Sequence, residues 1–191
     1  MAEEKSFLQT IKLEISRSFK LVPYERLAFH KVLGILKSDV GMSILIKELE
    51  RGPDIRHSAI SILVNFDHPD VLSALVSQLR NNITDRECIM IFEHVRRRGG
   101  TENIKDIITF IENYLGHQGS RAIITMAFDV LKIIGIESDE VLNFLMTKIS
   151  AKRLDPQIRS LVIESLSSFK SISVFEKIYY QGNCALISTS A

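Results

Sequence analysis

Between Asp54 and Asn81 the apolar positions recur twice in succession at helical spacing. Ala59, Ile62, Leu63 and Phe66 fall at i, i+3, i+4 and i+7, the positions that share one face of a 3.6-residue helix. Leu72, Leu75, Val76 and Leu79 repeat the pattern. Between the two runs, Asp67-His68-Pro69-Asp70 supplies turn residues and a carboxylate to cap the second run. The stretch predicts two amphipathic helices joined by a tight turn. One such hairpin cannot bury both of its stripes, so the same pattern is expected elsewhere in the chain.

It recurs about five times. The first-helix columns are Phe29, Val32, Leu33, Leu36, then the Ala59 quartet, then Cys88, Ile91, Phe92, Val95, then Ile124, Ala127, Phe128, Leu131, then Val162, Ser165, Leu166, Phe169, at successive offsets of 30, 29, 36 and 38 residues. Second-helix columns follow: Met42, Leu45, Ile46, Leu49, then the Leu72 quartet, then Ile104, Ile107, Ile108, Ile111, then Leu142, Leu145, Met146, Ile149, with an incomplete fifth at Val174, Phe175 and Ile178. The longer offsets come from the links Gly116-His117-Gln118-Gly119 and Lys152-Arg153-Leu154, where a binding loop has room. Local signals agree with these boundaries. Thr84-Asp85-Arg86-Glu87 is a capping box, Asp155 precedes a proline at a first helical position, and Arg96-Arg97-Arg98-Gly99-Gly100 reads as a cationic helix end with a left-handed glycine exit.

Arg26, Arg56, Arg121 and Arg159 each stand three residues before a first-helix column, and Asp155-Pro156-Gln157-Ile158-Arg159 resembles the D-P-x-V-R opening of HEAT-like repeats. Gly52-Pro53-Asp54-Ile55-Arg56 is a related phrase, and Asp67-His68-Pro69-Asp70 is similar to the G-D-P turn of the variant found in phycobilisome lyase-type proteins. The third unit departs from the pattern, with Asp85 at the arginine position and Arg86 one residue late. The resemblance spans residues 22–181. It implies an all-α fold, a short right-handed α-α superhelix of about five helical hairpins, whose second helices line the concave side. Repetition of the arginines suggests a ladder bonded to turn carboxylates such as Asp39, Asp67 and Asp70.

Residues 4–20 carry Phe7, Leu8, Ile11, Ile15 and Phe19 on one helical face and Lys5, Lys12, Glu14 and Arg17 elsewhere, the pattern of an N-terminal capping helix. The chain is thus expected to be a single α-solenoid domain over 1–191, with a tail at 182–191. Val174, Phe175, Ile178, Tyr179 and Tyr180 lack a sixth repeat to cover them, so the uncharged tail or a second copy is expected there, the latter giving self-association through the C-terminal end.

Composition narrows the function. The net charge of +1 provides no field to concentrate nucleic acid or an anionic membrane. With two cysteines, a charged N-terminus and no apolar run of bilayer length, the expectation is a cytoplasmic protein without a disulfide framework. His30, His57, His68, His94 and His117 are scattered without metal-ligand spacing, and read as solvated or capping residues. Glu93 and His94 are adjacent and diverge around a helix, so they form no acid/base pair. Cys88 sits in a core column and reads as a small buried hydrophobe. No nucleophile elbow, P-loop or dinucleotide fingerprint is present, so neither an enzyme nor a bound cofactor is expected.

The remaining candidate is a surface. Ser43, Lys47 and Glu50, then Ser73, Ser77 and Arg80, then Asp106, Thr109 and Glu112, then Asn143 and Thr147 are the second-helix positions that face away from the core columns. Small hydroxyls let a peptide backbone approach, and the mixed charges would set its register. This points to a non-enzymatic scaffold or adaptor that binds another protein or peptide. The alternatives are a phycobilin lyase-like enzyme or cofactor chaperone, which the resemblance allows, and a nucleic-acid-binding HEAT-like protein, which the balanced charge disfavours.

Overall fold

The computed structural model describes residues 23–115, 120–151 and 154–169. The capping helix expected at 4–20, His117 and its link, the second helix of the fifth hairpin and the tail with Cys184 lie outside the described residues. Among the described residues the structure is helical throughout, with no strand.

Nine α-helices follow one another among these residues: α1 (Pro23–Leu36), α2 (Asp39–Glu48), α3 (Pro53–Leu63), α4 (Pro69–Ser77), α5 (Asp85–Arg98), α6 (Ile104–Leu115), α7 (Arg121–Ile134), α8 (Asp139–Ile149) and α9 (Pro156–Ser167). Their starts are set by caps that occupy otherwise orphaned amides. Ser38 Oγ accepts from the Gly41 amide at 3.1 Å, Ser138 Oγ from Val141 at 3.4 Å, and Asp155 Oδ1 from Gln157 and Ile158 at 2.9 and 3.3 Å. The capping box at α5 closes in both directions. Glu87 Oε2 accepts from the Thr84 amide at 2.7 Å, and Thr84 Oγ1 accepts from the Glu87 amide at 3.3 Å. At α4 the expected carboxylate cap is replaced by an imidazole: His68 Nδ1 accepts from the Asp70 amide at 3.2 Å. Helix α5 ends at Gly99 and Gly100, both with positive φ (80° and 128°), as its arginine-glycine ending predicts.

The chain divides into two compact units, Met1–Ile91 and Phe92–Ala191. In the first, α1 packs on α2 and α3, α2 on α3 and α4, and α3 on α4. First helices thus touch first helices, and second helices touch second helices. In the second unit the same alternation appears: α6 packs on α7 and α8, α9 on α7 and α8. Each unit is a pair of hairpins whose apolar stripes are buried by the neighbouring hairpin.

Most of the periodic columns form the core. Leu33, Leu45, Ala59, Leu63, Leu75 and Val76 are sealed in the first unit, and Ile107, Ile111, Ala127, Leu131, Leu145 and Val162 in the second. The first column is the exception, because Val32 and Leu36 are exposed. The packed face of α1 is rotated from the expected one, centring on Leu33 with Arg26 and His30 beside it.

Helices α1 and α3 approach closely at Gly34. A Cβ there would stand 2.6 Å from Ile62 Cγ2. Replacing Gly34 by Ala gains roughly 0.8–1.0 kcal/mol of helix propensity, but the overlap with a stiff β-branched side chain costs about 1–3 kcal/mol. The expected result is a net loss of about 1 kcal/mol by denaturant titration, recovered in part when Ile62→Ala removes the obstructing methyl.

Candidate functional site

The eleven row positions all lie at the surface, although not all on helices. Ser43 and Lys47 are on α2 and Ser73 and Ser77 on α4, whereas Glu50 lies just beyond α2 and Arg80 closes a 3-10 turn, Gln78–Arg80. In the second unit, Asp106, Thr109 and Glu112 are on α6, and Asn143 and Thr147 on α8. Ser77 and Asp106 are half-buried and the other nine are exposed.

Hydrogen bonds give these side chains a low profile. Ser77 Oγ donates to the Ala74 carbonyl at 2.7 Å, Thr109 Oγ1 to Lys105 at 2.8 Å and Thr147 Oγ1 to Asn143 at 2.8 Å, each folding back on its own helix. Two charges are held by neighbours that the sequence pattern did not single out. Gln78 Nε2 donates to Glu50 Oε1 at 3.2 Å, and Lys148 Nζ to Glu112 Oε1 at 2.9 Å while lying 5.3 Å from the centre of the Phe144 ring. Gln78 is almost completely buried, which fixes Glu50 between α2 and α4.

Beneath the first unit's surface lies a charged cluster. Glu48, which is 7% exposed, accepts from Arg26 Nη1 at 3.0 and 3.2 Å and from Arg51 Nε at 2.8 Å. His30, 1% exposed, sets Nε2 3.6 Å from Glu48 Oε2 and Nδ1 3.1 Å from Ser58 Oγ. Burial lowers its pKa, outweighing the nearby Glu48 carboxylate that raises it. A Ser-His-Glu set resembles a nucleophile relay in composition, but two guanidiniums hold the carboxylate and the imidazole is sealed from solvent. The arrangement fixes the α1–α2–α3 contact and offers a substrate no approach.

A second cluster surrounds Glu87. Arg56 donates through Nε to Glu87 Oε1 at 3.3 Å and through Nη2 to the Asn82 carbonyl at 3.1 Å. Burial pushes the Glu87 carboxyl upward, but hydrogen bonds from Thr84 and the Arg56 charge hold it below the usual range. The register arginines therefore meet Glu48 and Glu87, while Asp70 stands 3.7 Å from His68. Arg159 donates to the Ala151 carbonyl at 3.2 Å. His30 and His94 are buried, against the expectation of solvated or capping residues, because both lie on helix faces that the columns cover. Cys88 is buried as expected, and burial, with Asp85 and Glu87 nearby, pushes its thiol up to about 12. Such a thiol is a poor nucleophile at neutral pH.

The second unit also contains a groove of about 690 Å³ where the end of α6 meets the starts of α7 and α9. Leu115, Ile124, Ile158 and Leu161 form its apolar wall, and Ser120, Arg121, Thr125, Gln157 and Ser160 its polar one. Tyr114 stacks on Phe110 at 5.0 Å, and its hydroxyl accepts from the Ser120 amide at 2.9 Å. The lining contains no histidine, cysteine or lysine, and Asp155 Oδ1 is engaged in its cap. These groups suit binding better than proton transfer. Periodicity missed the groove, although the long links that flank it were the signal available.

Among the described residues no group of His, Cys, Asp and Glu could hold a metal ion, and no helix is long and apolar enough to cross a membrane. No family model, curated protein or solved structure matches this chain.

Proposed function

We propose that the protein is a non-enzymatic interaction module, a HEAT-like α-solenoid that acts as a scaffold or adaptor by holding a polypeptide on the second-helix row. The observation that supports this most is the row's relief. Its hydroxyls fold back onto their own helices and its charges are of both signs, so an extended backbone can approach α2 and α4, or α6 and α8, without displacing bulky side chains. A nucleic-acid groove would need several uncompensated cations, because each phosphate neutralised adds to affinity and to salt dependence.

The test is a photo-crosslinking residue introduced at Ser73 or Thr109, with exposed Ile163 on α9 as control. Polypeptide adducts are expected at the first two positions, and those at Ser73 are expected to disappear in a Lys47→Glu/Arg80→Glu variant that melts normally. Adduct yields no higher than at Ile163, or tight salt-sensitive binding of duplex DNA by the unmodified protein, would overturn the reading. The 690 Å³ groove favours a second reading, a cofactor chaperone of the phycobilin-lyase type, since its size and mixed walls suit a small organic ligand. That reading requires visible absorbance in the natively purified protein, lost on Arg121→Ala.

A further inference from the structure

Helix α1 is apolar on two sides. One face is packed on α2 and α3, while the other carries Tyr24, Ala28, Val32, Ile35 and Leu36, all exposed, with Ile35 81% accessible. A helix that is apolar around most of its circumference normally has a partner on each face, and a contiguous stripe of this kind is seldom left open to water.

The spacing identifies the partner. Read backwards from Leu36, the stripe runs 36, 35, 32, 28, 24, and read forwards from Phe7 the apolar residues of 4–20 run 7, 8, 11, 15, 19. The intervals are the same. Folding the chain at Lys20-Leu21-Val22 therefore sets Phe19 opposite Tyr24, Ile15 opposite Ala28, Ile11 opposite Val32, Leu8 opposite Ile35 and Phe7 opposite Leu36. A connection of about three residues is ordinary between antiparallel helices. At 1.5 Å per residue the two helices also match in length.

We infer that residues 4–20 dock antiparallel on the outer face of α1 in this register, making α1 the middle helix of three. The test uses Ile35→Cys in a Cys184→Ser background, with alkylation of each thiol followed by mass spectrometry. The thiol introduced at position 35 is expected to react about tenfold or more slowly than in the same chain carrying Leu8→Asp and Ile11→Asp, because opening a packed helix is a rare event. Buried Cys88 reports folding of the same unit in every sample. Should the double substitution expose Cys88, Leu8→Ala is read in its place. Arg17→Asp, on the opposite side of the segment, is expected to leave the rate unchanged. Equal rates at position 35 in all chains would overturn the inference. So would protection that appears only as protein concentration rises, which would make the occupant a second copy.

Discussion

Leu63→Asp is expected to abolish the packing of the first unit. Leu63 is completely buried on α3, at the contact with α1 and α2, and Leu75 is equally sealed on α4. Removing a buried leucine costs about 2–5 kcal/mol through lost transfer and the cavity left behind. An unpaired carboxylate at the same site adds several kcal/mol more unless it is protonated. Together these rival a domain's whole stability of about 5–15 kcal/mol. The expected outcome for either Leu63→Asp or Leu75→Asp is loss of hydrogen-exchange protection across α1 to α4 and a reduced far-ultraviolet helical signal. Ser73→Asp, on the exposed face of α4, is expected to change stability by no more than about 0.5 kcal/mol. Protection retained in both leucine variants would mean that the buried face has been wrongly assigned.

Legibility followed the range of the interaction. Columns such as Leu72-Leu75-Val76-Leu79 could be read because helical geometry places residues three and four apart on one side, whatever lies beyond. The Thr84–Glu87 capping box and the Asp155-Pro156 start were legible for the same reason, their partners being within three residues. Arg26 and Glu48 are 22 residues apart, and Arg56 and Glu87 are 31 apart. Their pairing depends on how far one helix is rotated against the next, and periodicity does not determine that rotation. The same rotation explains the miss at Val32 and Leu36: α1 is apolar on two sides, so its column could be drawn on either. The groove at Tyr114, Arg121 and Gln157 gathers three helix termini, and its form depends on links that carry no pattern. On the surface, the row was legible as the complement of the core, but the fixing of Glu50 by Gln78 and of Glu112 by Lys148 was not.

Glu48→Ala is expected to cost the first unit about 2–4 kcal/mol, because breaking a buried ion pair leaves an uncompensated charge behind. Arg26 loses both of its hydrogen bonds to that carboxylate, with a side chain only 14% exposed, whereas Arg51 is 39% exposed and recovers hydration, which holds the estimate below the full cost of a sealed pair. If charge is the cause, Arg26→Met/Glu48→Met is expected to be more stable than Glu48→Ala, since two apolar groups of similar volume need no partner. A double variant less stable than Glu48→Ala would show that the cluster acts through shape alone. Acid should disturb the same cluster. The folded state holds the His30 pKa below its ordinary 6.5, through burial that Glu48 only partly offsets. Above that value the imidazole is neutral in both states and the stability is fully present. As pH falls through 6.5, the unfolded chain binds a proton that the folded chain, with Arg26 and Ser58 also against the ring, resists, so stability declines until the folded pKa is passed. Glu87 follows the same sign in a lower window. Its folded pKa lies below the ordinary 4.5, so its contribution is present above that value and is lost as pH falls through the folded one. The Tm of the first unit is therefore expected to fall in two stages, beginning below pH 6.5 and again below 4.5. His30→Asn should remove the upper stage and leave the lower in place; an unchanged upper stage in that variant would assign it to another group.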